Sequence, residues 1–283
     1  VVTNLDKEHL DFYKNFKNLK EAFIKFIRKT PLIGKSFICI DDFELKKLVS
    51  KIDNKNYLTY GFSKRANFKI QNAIYKKDSC QFDLKISVQG LKNKIIKNIK
   101  LNLIGKHNIL NSVAAVALCL HIGVKIDVIK KSLKKFTGIQ RRLTKVFSKN
   151  GREFFDDYAH HPTEIKSVIQ SFKTIASGRK VISVFQPHRY SRLKILKKDF
   201  SLAFKDSDLV ILCPVYPAGE KVDKKYNELN FAEAISHNSK VQVVMVKNEQ
   251  DLRKFFLKNL INNEIVVCMG AGSISKWIRE MKL

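Results

Sequence analysis

The sequence is poor in acidic residues and in arginine. Asp and Glu number 26 against 54 Lys and Arg, a formal charge of +28 over 283 residues, and only 10 of the cations are Arg. Specific readout of nucleic acid favours Arg, whose planar fork makes bidentate contacts. The 44 lysines are scattered between apolar positions and form no long block. Most of them read as solvated helix faces, with a basic nucleic-acid-binding module as the rival reading of the charge. Paired cysteines are also missing. Cys39, Cys80, Cys119, Cys213 and Cys268 form no CxxC, which argues against a zinc site, and most lie in apolar runs such as ILCPVY and VVCMGAG. Buried, reduced thiols in a cytoplasmic protein are expected. No segment reads as a signal peptide or a membrane span. The uncharged run at residues 107–124 contains two His, two Asn and a Ser, which a lipid-facing helix would not favour. Internal repeats and low-complexity linkers are absent, and 45% hydrophobic residues exclude a disordered polyelectrolyte. The chain opens on Val1-Val2-Thr3-Asn4 without Met, as though on the end of a strand, so an upstream portion is expected.

What is present divides the chain in two, at residues 1–138 and 139–283. In the first part, apolar residues recur at helical spacing from Asn18 to Arg28. A short buried strand is predicted over residues 36–40, and Asp42 is placed to cap a helix running to Ile52. Residues 57–103 alternate and predict several strands. Helices follow over residues 107–123 and 127–136. After Gly138 the pattern changes to β-rich apolar runs (RLTKVFS, REFFDDYA, KVISVFQP, LVILCPVY, VQVVMV, EIVVCMGAG). Helices at about 163–177, 192–206, 228–236, 249–260 and 273–282 fall between and after them. This alternation predicts an α/β fold with a mainly parallel sheet covered on both faces, its ligands beyond the carboxyl ends of the strands.

Several strand ends carry chemistry. His9 stands in TNLDKEHLD among carboxylates, where an imidazole could bind a divalent metal or be an ordinary loop residue. Asn108 and Asn111, in GKHNILN, share one helix face near its start. Their carboxamides offer donor and acceptor to an adenine edge, although such residues also serve as caps. The adjacent guanidiniums of Arg141 and Arg142, in GIQRR at the junction, suit a phosphate, or form an exposed basic turn. The stretch Asp156-Asp157-Tyr158-Ala159-His160-His161-Pro162 has too many ionisable groups for a packing role at a strand end. A metal cluster is its rival reading, weakened because adjacent histidines point in different directions. After the next strand, QPHRYSR sets His188, Arg189 and Arg192 at a helix start, where two guanidiniums suit a carboxylate or phosphate. VYPAGE and GAGS end two further strands; the lone GxG reads first as a tight turn. Five of the seven histidines fall in these motifs, which favours a site along one sheet edge.

In order, TNLDKEHLD, GKHNILNSVAAVAL, GIQRRL, DDYAHHPTE, FQPHRYSR, VYPAGE and GAGSISK resemble the Mur ligases across essentially the whole chain. The resemblance implies the later part of a central ATP-binding domain followed by a Rossmann-like C-terminal ligase domain. It implies ATP-dependent amide ligation in peptidoglycan precursor synthesis, with ATP, Mg2+, UDP-N-acetylmuramate and L-alanine as cofactors and substrates. A murein tripeptide in place of alanine is the near alternative; FQPHRYSR fits the alanine enzymes better. Carried over by position, His9 resembles a magnesium ligand, and Asn108 and Asn111 the pair facing adenine. Arg142 resembles the arginine that contacts the nucleotide, and Asp157 the aspartate near the ribose. Tyr158, His160, His188, Arg189 and Arg192 resemble the groups around the amino acid and the substrate phosphate or carboxylate. His160, Arg189 and Arg192 are, with Arg142, the expected catalytic residues. The family's phosphate loop does not occur in these 283 residues, so the chain alone is expected to be inactive. The place of a carbamylated lysine found in related ligases falls near Phe23, and none is expected.

Overall fold

The computed structural model describes residues 1–52, 56–88, 94–223, 225–261, 263–281 and 283. The chain divides into two compact units, Val1–Thr137 and Gly138–Leu283.

The first unit is built on a five-stranded sheet of order β1-β2-β3-β4-β5, with β1 at Ser36–Cys39, β2 at Tyr57–Gly61, β3 at Phe68–Tyr75, β4 at Cys80–Ile86 and β5 at Lys94–Leu101. The first three strands are parallel, and β4 and β5 each run antiparallel to the strand before. The sheet is therefore mixed. In β4 alternate residues are buried, as the period of two requires of a strand with one covered face. Residues 89–93, within the stretch expected to form strands, lie outside the described residues. Val2 bridges Ile38 in parallel, so the chain does open on a strand-like pairing. Val2, β1, β2, β3 and β5 share one direction, and the segments that follow Val2, Cys39, Gly61 and Leu101 leave at the same edge.

Helices α1 (Leu10–Tyr13), α2 (Phe16–Arg28), α3 (Phe43–Val49), α4 (Lys106–His121) and α5 (Ile126–Lys135) complete this unit. Asp42 caps α3 as expected, accepting the Leu45 N–H at 2.7 Å. α3 ends at Val49, three residues short of the expected Ile52. The Ala-rich α4 buries Val113, Ala114, Val116 and Ala117 and packs on β1, β2 and β3. Asp41 ties two strand ends together by accepting the N–H groups of Phe62 and Ser63, both at 2.9 Å. Glycine is required at position 61, where φ is +146° and a Cβ would stand 2.4 Å from an Asp41 oxygen.

The second unit holds a six-stranded sheet of order β10-β9-β8-β11-β7-β6. Its strands are β6 (Thr144–Lys149), β7 (Arg152–Asp157), β8 (Val181–Phe185), β9 (Leu209–Leu212), β10 (Val243–Met245) and β11 (Ile265–Met269). Only β6 is antiparallel to its neighbour; the other pairings are parallel. Every residue of β8 and β11 is buried, as expected of central strands covered on both faces. The covering helices are α6 (Pro162–Ile175), α7 (Tyr190–Ser201), α8 (Glu228–Ser239), α9 (Glu249–Asn259) and α10 (Ile274–Glu280). α7 starts two residues before the expected 192 and stops well before 206, with non-helical backbone at Leu196. Residue 282, in the expected last helix, lies outside the described residues. Four of the five thiols are buried and Cys119 is half-buried; none is in a disulfide. No helix among the described residues is long and apolar enough to cross a membrane.

At the amino end of β7, Glu153 accepts hydrogen bonds from Lys145 at 2.5 Å and from Arg179. Burial works to raise its pKa, but the two cations outweigh it and hold the group down at about 2. A carboxyl whose folded pKa is depressed contributes stability above its ordinary value, near 4.5, and loses it as pH falls through the folded value. Denaturation midpoints of the chain should therefore fall between pH 4.5 and about 2. Glu153→Gln should flatten that decline, and an unchanged slope would contradict the assignment.

Candidate active site

Because β7, β11, β8 and β9 are parallel neighbours, their carboxyl ends line one edge of the second unit's sheet. Asp156 and Asp157 end β7, the glycine turn 270–272 follows β11, residues 186–189 follow β8, and residues 213–220 follow β9. This arrangement brings together six of the residues singled out from the sequence: Arg142, Tyr158, His160, His188, Arg189 and Arg192.

Tyr158 and His160 are in edge-on contact, ring centroids 5.1 Å apart. His160 in turn lies 5.7 Å from His188. His188 stacks on Tyr216 at 5.7 Å with 15° between the planes. Arg192, in the first turn of α7, brings a guanidinium nitrogen 3.1 Å from His188 Nδ1. Arg189 is the N-cap of α7, exposed, with φ at +69°, and its N–H donates to the Tyr216 carbonyl at 2.9 Å. On the other flank, the guanidiniums of Arg141 and Arg142 stand 4.6 and 5.6 Å from the centre of the Tyr158 ring. Guanidiniums, imidazoles and a phenol thus line the edge from β7 to β9. This donor set suits carboxylate and phosphoryl oxygens.

The two aspartates at the end of β7 are not part of that exposed line. Asp157 is 2% exposed, and its oxygens accept the N–H groups of Leu143 and Ala159, both at 2.8 Å. Burial dominates and pushes its pKa up to about 6, against the pull of those bonds and of Arg142. It clamps the segment carrying Arg142 to the loop carrying Tyr158. Asp156 is fully buried and faces α10, accepting from Ser275 at 2.6 Å and from Arg279 at 2.9 and 3.0 Å.

The two adjacent histidines have separate jobs. His161 is buried as the N-cap of α6, its ring accepting the Thr163 N–H at 3.4 Å in a capping box completed by Glu164. His160 is on the edge, its Nδ1 2.9 Å from the Tyr158 carbonyl. Among the described residues no group of three or more His, Cys, Asp or Glu could hold a metal ion.

Four further residues contribute, of which only Arg141 carried an expected role, as the guanidinium beside Arg142. Glu164 accepts the His160 N–H at 3.0 Å and lies 3.8 Å from Arg142, connecting two of the expected catalytic residues. Arg141 donates to the Gly270 carbonyl at 2.9 Å. Glu220 accepts from the hydroxyl and the N–H of Ser191, fastening the loop after β9 to the start of α7. Tyr216 is the stacking partner of His188. The capping-box spacing from His161 to Glu164 was a readable signal for the first of these, as the Arg-Arg pair was for Arg141; Glu220 and Tyr216 need the strand order.

The close approach of these loops rests on Gly272, where a Cβ would come 2.5 Å from Tyr216 Cγ and 2.5 Å from Gln186 Oε1. Gln186 accepts the Ile274 N–H at 3.0 Å, so neither neighbour moves cheaply. Gly272→Ala should therefore cost about 1–3 kcal/mol in chemical denaturation and weaken the Tyr216–His188 stack. A neutral effect would mean that the loops are not held this tightly.

The remaining candidates are in the first unit. His9 is exposed at φ +54°, at the N-cap of α1, beyond the Val2 bridge. Asn108 is in the first turn of α4 and donates to the Ile104 carbonyl at 2.8 Å, which orients its carboxamide. Asn111 is exposed one turn further along α4. Both follow β5 at the edge that also carries the segment leading to His9.

A mainly parallel sheet covered on both faces, with guanidiniums and imidazoles along its carboxyl edge, is an architecture suited to small carboxylated or phosphorylated ligands. The Mur ligase middle domain matches residues 1–119, and the Mur ligase glutamate ligase domain matches residues 141–272. The chain belongs to the Mur ligase family. It is 52% identical over 281 residues to UDP-N-acetylmuramate–L-alanine ligase of Pelagibacter ubique (strain HTCC1062), covering 99% of this chain and 61% of that protein. It is 38% identical to the enzyme of the same name from Wigglesworthia glossinidia brevipalpis, covering 99% of this chain and 60% of that protein. The chain thus spans about three fifths of the length of these relatives. Among solved structures, the fold matches UDP-N-acetylmuramate-alanine ligase MurC of Thermotoga maritima with TM-score 0.74 and 24% identity, over 98% of this chain and 57% of that one. It also matches the MurF ligase of Thermotoga maritima in complex with ADP, with TM-score 0.71 and 17% identity, over 99% of this chain and 61% of that one.

Proposed function

We propose that this chain forms the nucleotide- and amino-acid-binding part of a cytoplasmic UDP-N-acetylmuramate–L-alanine ligase. Residues 1–138 would be the later part of the ATP-binding domain and residues 139–283 the ligase domain. The observation that carries the reading is the line of Arg142, Tyr158, His160, His188, Arg189 and Arg192 along one sheet edge, in a chain 52% identical to a ligase of that name.

In the proposed reaction, the muramyl carboxylate takes the terminal phosphoryl group of ATP, giving an acyl phosphate and ADP. The amine of L-alanine, having lost a proton, adds to the acyl carbon. The tetrahedral adduct then expels phosphate and leaves the amide. A free carboxylate is a poor acyl donor, which is why activation must come first. Catalysis rests on positioning and on neutralising phosphoryl charge. Arg189 and Arg192 supply fixed positive charge for the alanine carboxylate or the phosphoryl oxygens. Tyr158 and His160 line the amino-acid pocket. Arg142 contacts the nucleotide. Asp157 belongs near the ribose through the two loops that it clamps. Asn108 and Asn111 receive the adenine edge.

The described residues do not by themselves build a magnesium site. His9 is a single exposed imidazole, and no metal-binding cluster forms around it. It is proposed as one ligand of Mg2+.

The test is ADP release by the protein carrying this chain, supplied with ATP and UDP-N-acetylmuramate, with and without L-alanine. Alanine-dependent ADP release is the expected result, with a murein tripeptide a poor substitute. Release driven by the tripeptide, or indifferent to alanine, would overturn the reading.

A further inference from the structure

The contact between Arg192 and His188 fixes a proton. A guanidinium has five N–H donors and no acceptor. Its nitrogen stands 3.1 Å from His188 Nδ1, so that ring atom must be the acceptor and carries no hydrogen. A second bond from the same guanidinium nitrogen to the His188 carbonyl, at 3.3 Å, holds Arg192 in place. The imidazole plane is set by Tyr216, stacked on it within 15°. Tyr216 is itself held: its N–H donates to the Pro187 carbonyl at 2.8 Å, its carbonyl accepts from Arg189, and Gly272 leaves no room behind its ring.

We infer that Arg192 and Tyr216 hold His188 as a neutral imidazole with its proton on Nε2, so that it serves as a fixed hydrogen-bond donor to an anionic oxygen of the substrate. On this inference it is neither a general base nor a cation. The role deepens the proposed function and rests on it for the identity of the anion. The tautomer rests on the geometry alone. Arg192 is then a positioning residue as well as a source of charge, and Tyr216 is a positioning residue.

The surroundings agree. His188 is faced by Arg189 and Arg192 from the start of α7, by His160 from the loop after β7, and by Tyr216 and Glu220 from the loop after β9. Burial, followed by Arg192, His160 and Arg189, lowers its pKa to about 4, and only Glu220 opposes this. A donor that stays neutral at working pH keeps its N–H without adding another positive charge beside two arginines.

The experiment is 15N-edited NMR of the histidine side chains in the 283-residue chain, with His188 assigned by His188→Gln. The expected spectrum has Nε2 protonated and Nδ1 bare from pH 5 to 8. In Arg192→Met the titration midpoint of His188 should rise by about 1 pH unit, because a positive charge and a hydrogen bond to the neutral form are both lost. Tyr216→Phe should keep the parent behaviour and Tyr216→Ala should let both tautomers appear. A proton on Nδ1, or an imidazolium at pH 6, would overturn the inference. L-Alanine and inorganic phosphate are then titrated separately. A downfield shift of the Nε2 proton with one of them supports the donor role and says which anion is bound. No shift with either overturns that role. ADP release is a separate readout, so the tautomer can hold while the ligase reading fails, and the reverse.

Discussion

Arg279→Met is expected to destabilise the second unit by about 2–3 kcal/mol, less than a pair buried on both sides because Arg279 is partly exposed. Asp156 has no exposed surface, and its hydrogen bonds come from Ser275 and Arg279 to a single oxygen. Its other oxygen is buried without a partner among the described residues. Arg279 is itself 37% exposed, so the pair is wet on one side. Removing the guanidinium still leaves the fully buried Asp156 carboxylate with one hydroxyl for support, and an undercompensated buried charge is costly. A unit of this size would lose on the order of 10 °C in Tm. Asp156→Leu combined with Arg279→Met should recover most of the loss, because the charge and its partner leave together. Urea denaturation of the single and double variants decides the matter. A single-variant effect below about 1 kcal/mol, in the range of a surface pair, would mean that the pair is solvated.

The second large effect is on catalysis. Arg142→Ala should lower alanine-dependent ADP release by about 100- to 1000-fold, the usual consequence of removing a preorganised charge from a developing anion. Its guanidinium stands over the Tyr158 ring and 3.8 Å from Glu164, half-exposed and braced from two sides. Arg142→Lys should recover only part of the rate, since an ammonium keeps the charge but not the planar fork. The proposed role in transition-state stabilisation requires kcat to fall. A change confined to KM for ATP would reduce Arg142 to a binding residue.

Much of this was legible before any coordinates. The alternation of apolar runs and amphipathic helices after Gly138 carried the parallel sheet, because strands buried on both faces must be apolar throughout. Ionisable residues packed at strand ends carried the site, because nothing about packing needs them there. Spacing in the first unit predicted strands but not their directions. The antiparallel β4 and β5 depend on tertiary pairing. The division of labour at DDYAHH was also out of reach. Sequence treats its two aspartates and two histidines alike, whereas the fold sends Asp156 to α10, Asp157 into loop hydrogen bonds, His161 to a helix cap and His160 to the edge. Tyr216 acquires its role only when β9 lies beside β8, 28 residues after His188 in the chain.

The central claim is that the carboxyl edge of the second unit's sheet receives the amino acid. The most direct measurement is transfer of NMR saturation from the methyl protons of L-alanine to the protein carrying this chain, with ATP and UDP-N-acetylmuramate present. Transfer to Tyr158, His160 and His188, abolished in Arg189→Ala, is the predicted result. Transfer to residues outside that edge, or transfer that survives the loss of Arg189 unchanged, would contradict the account.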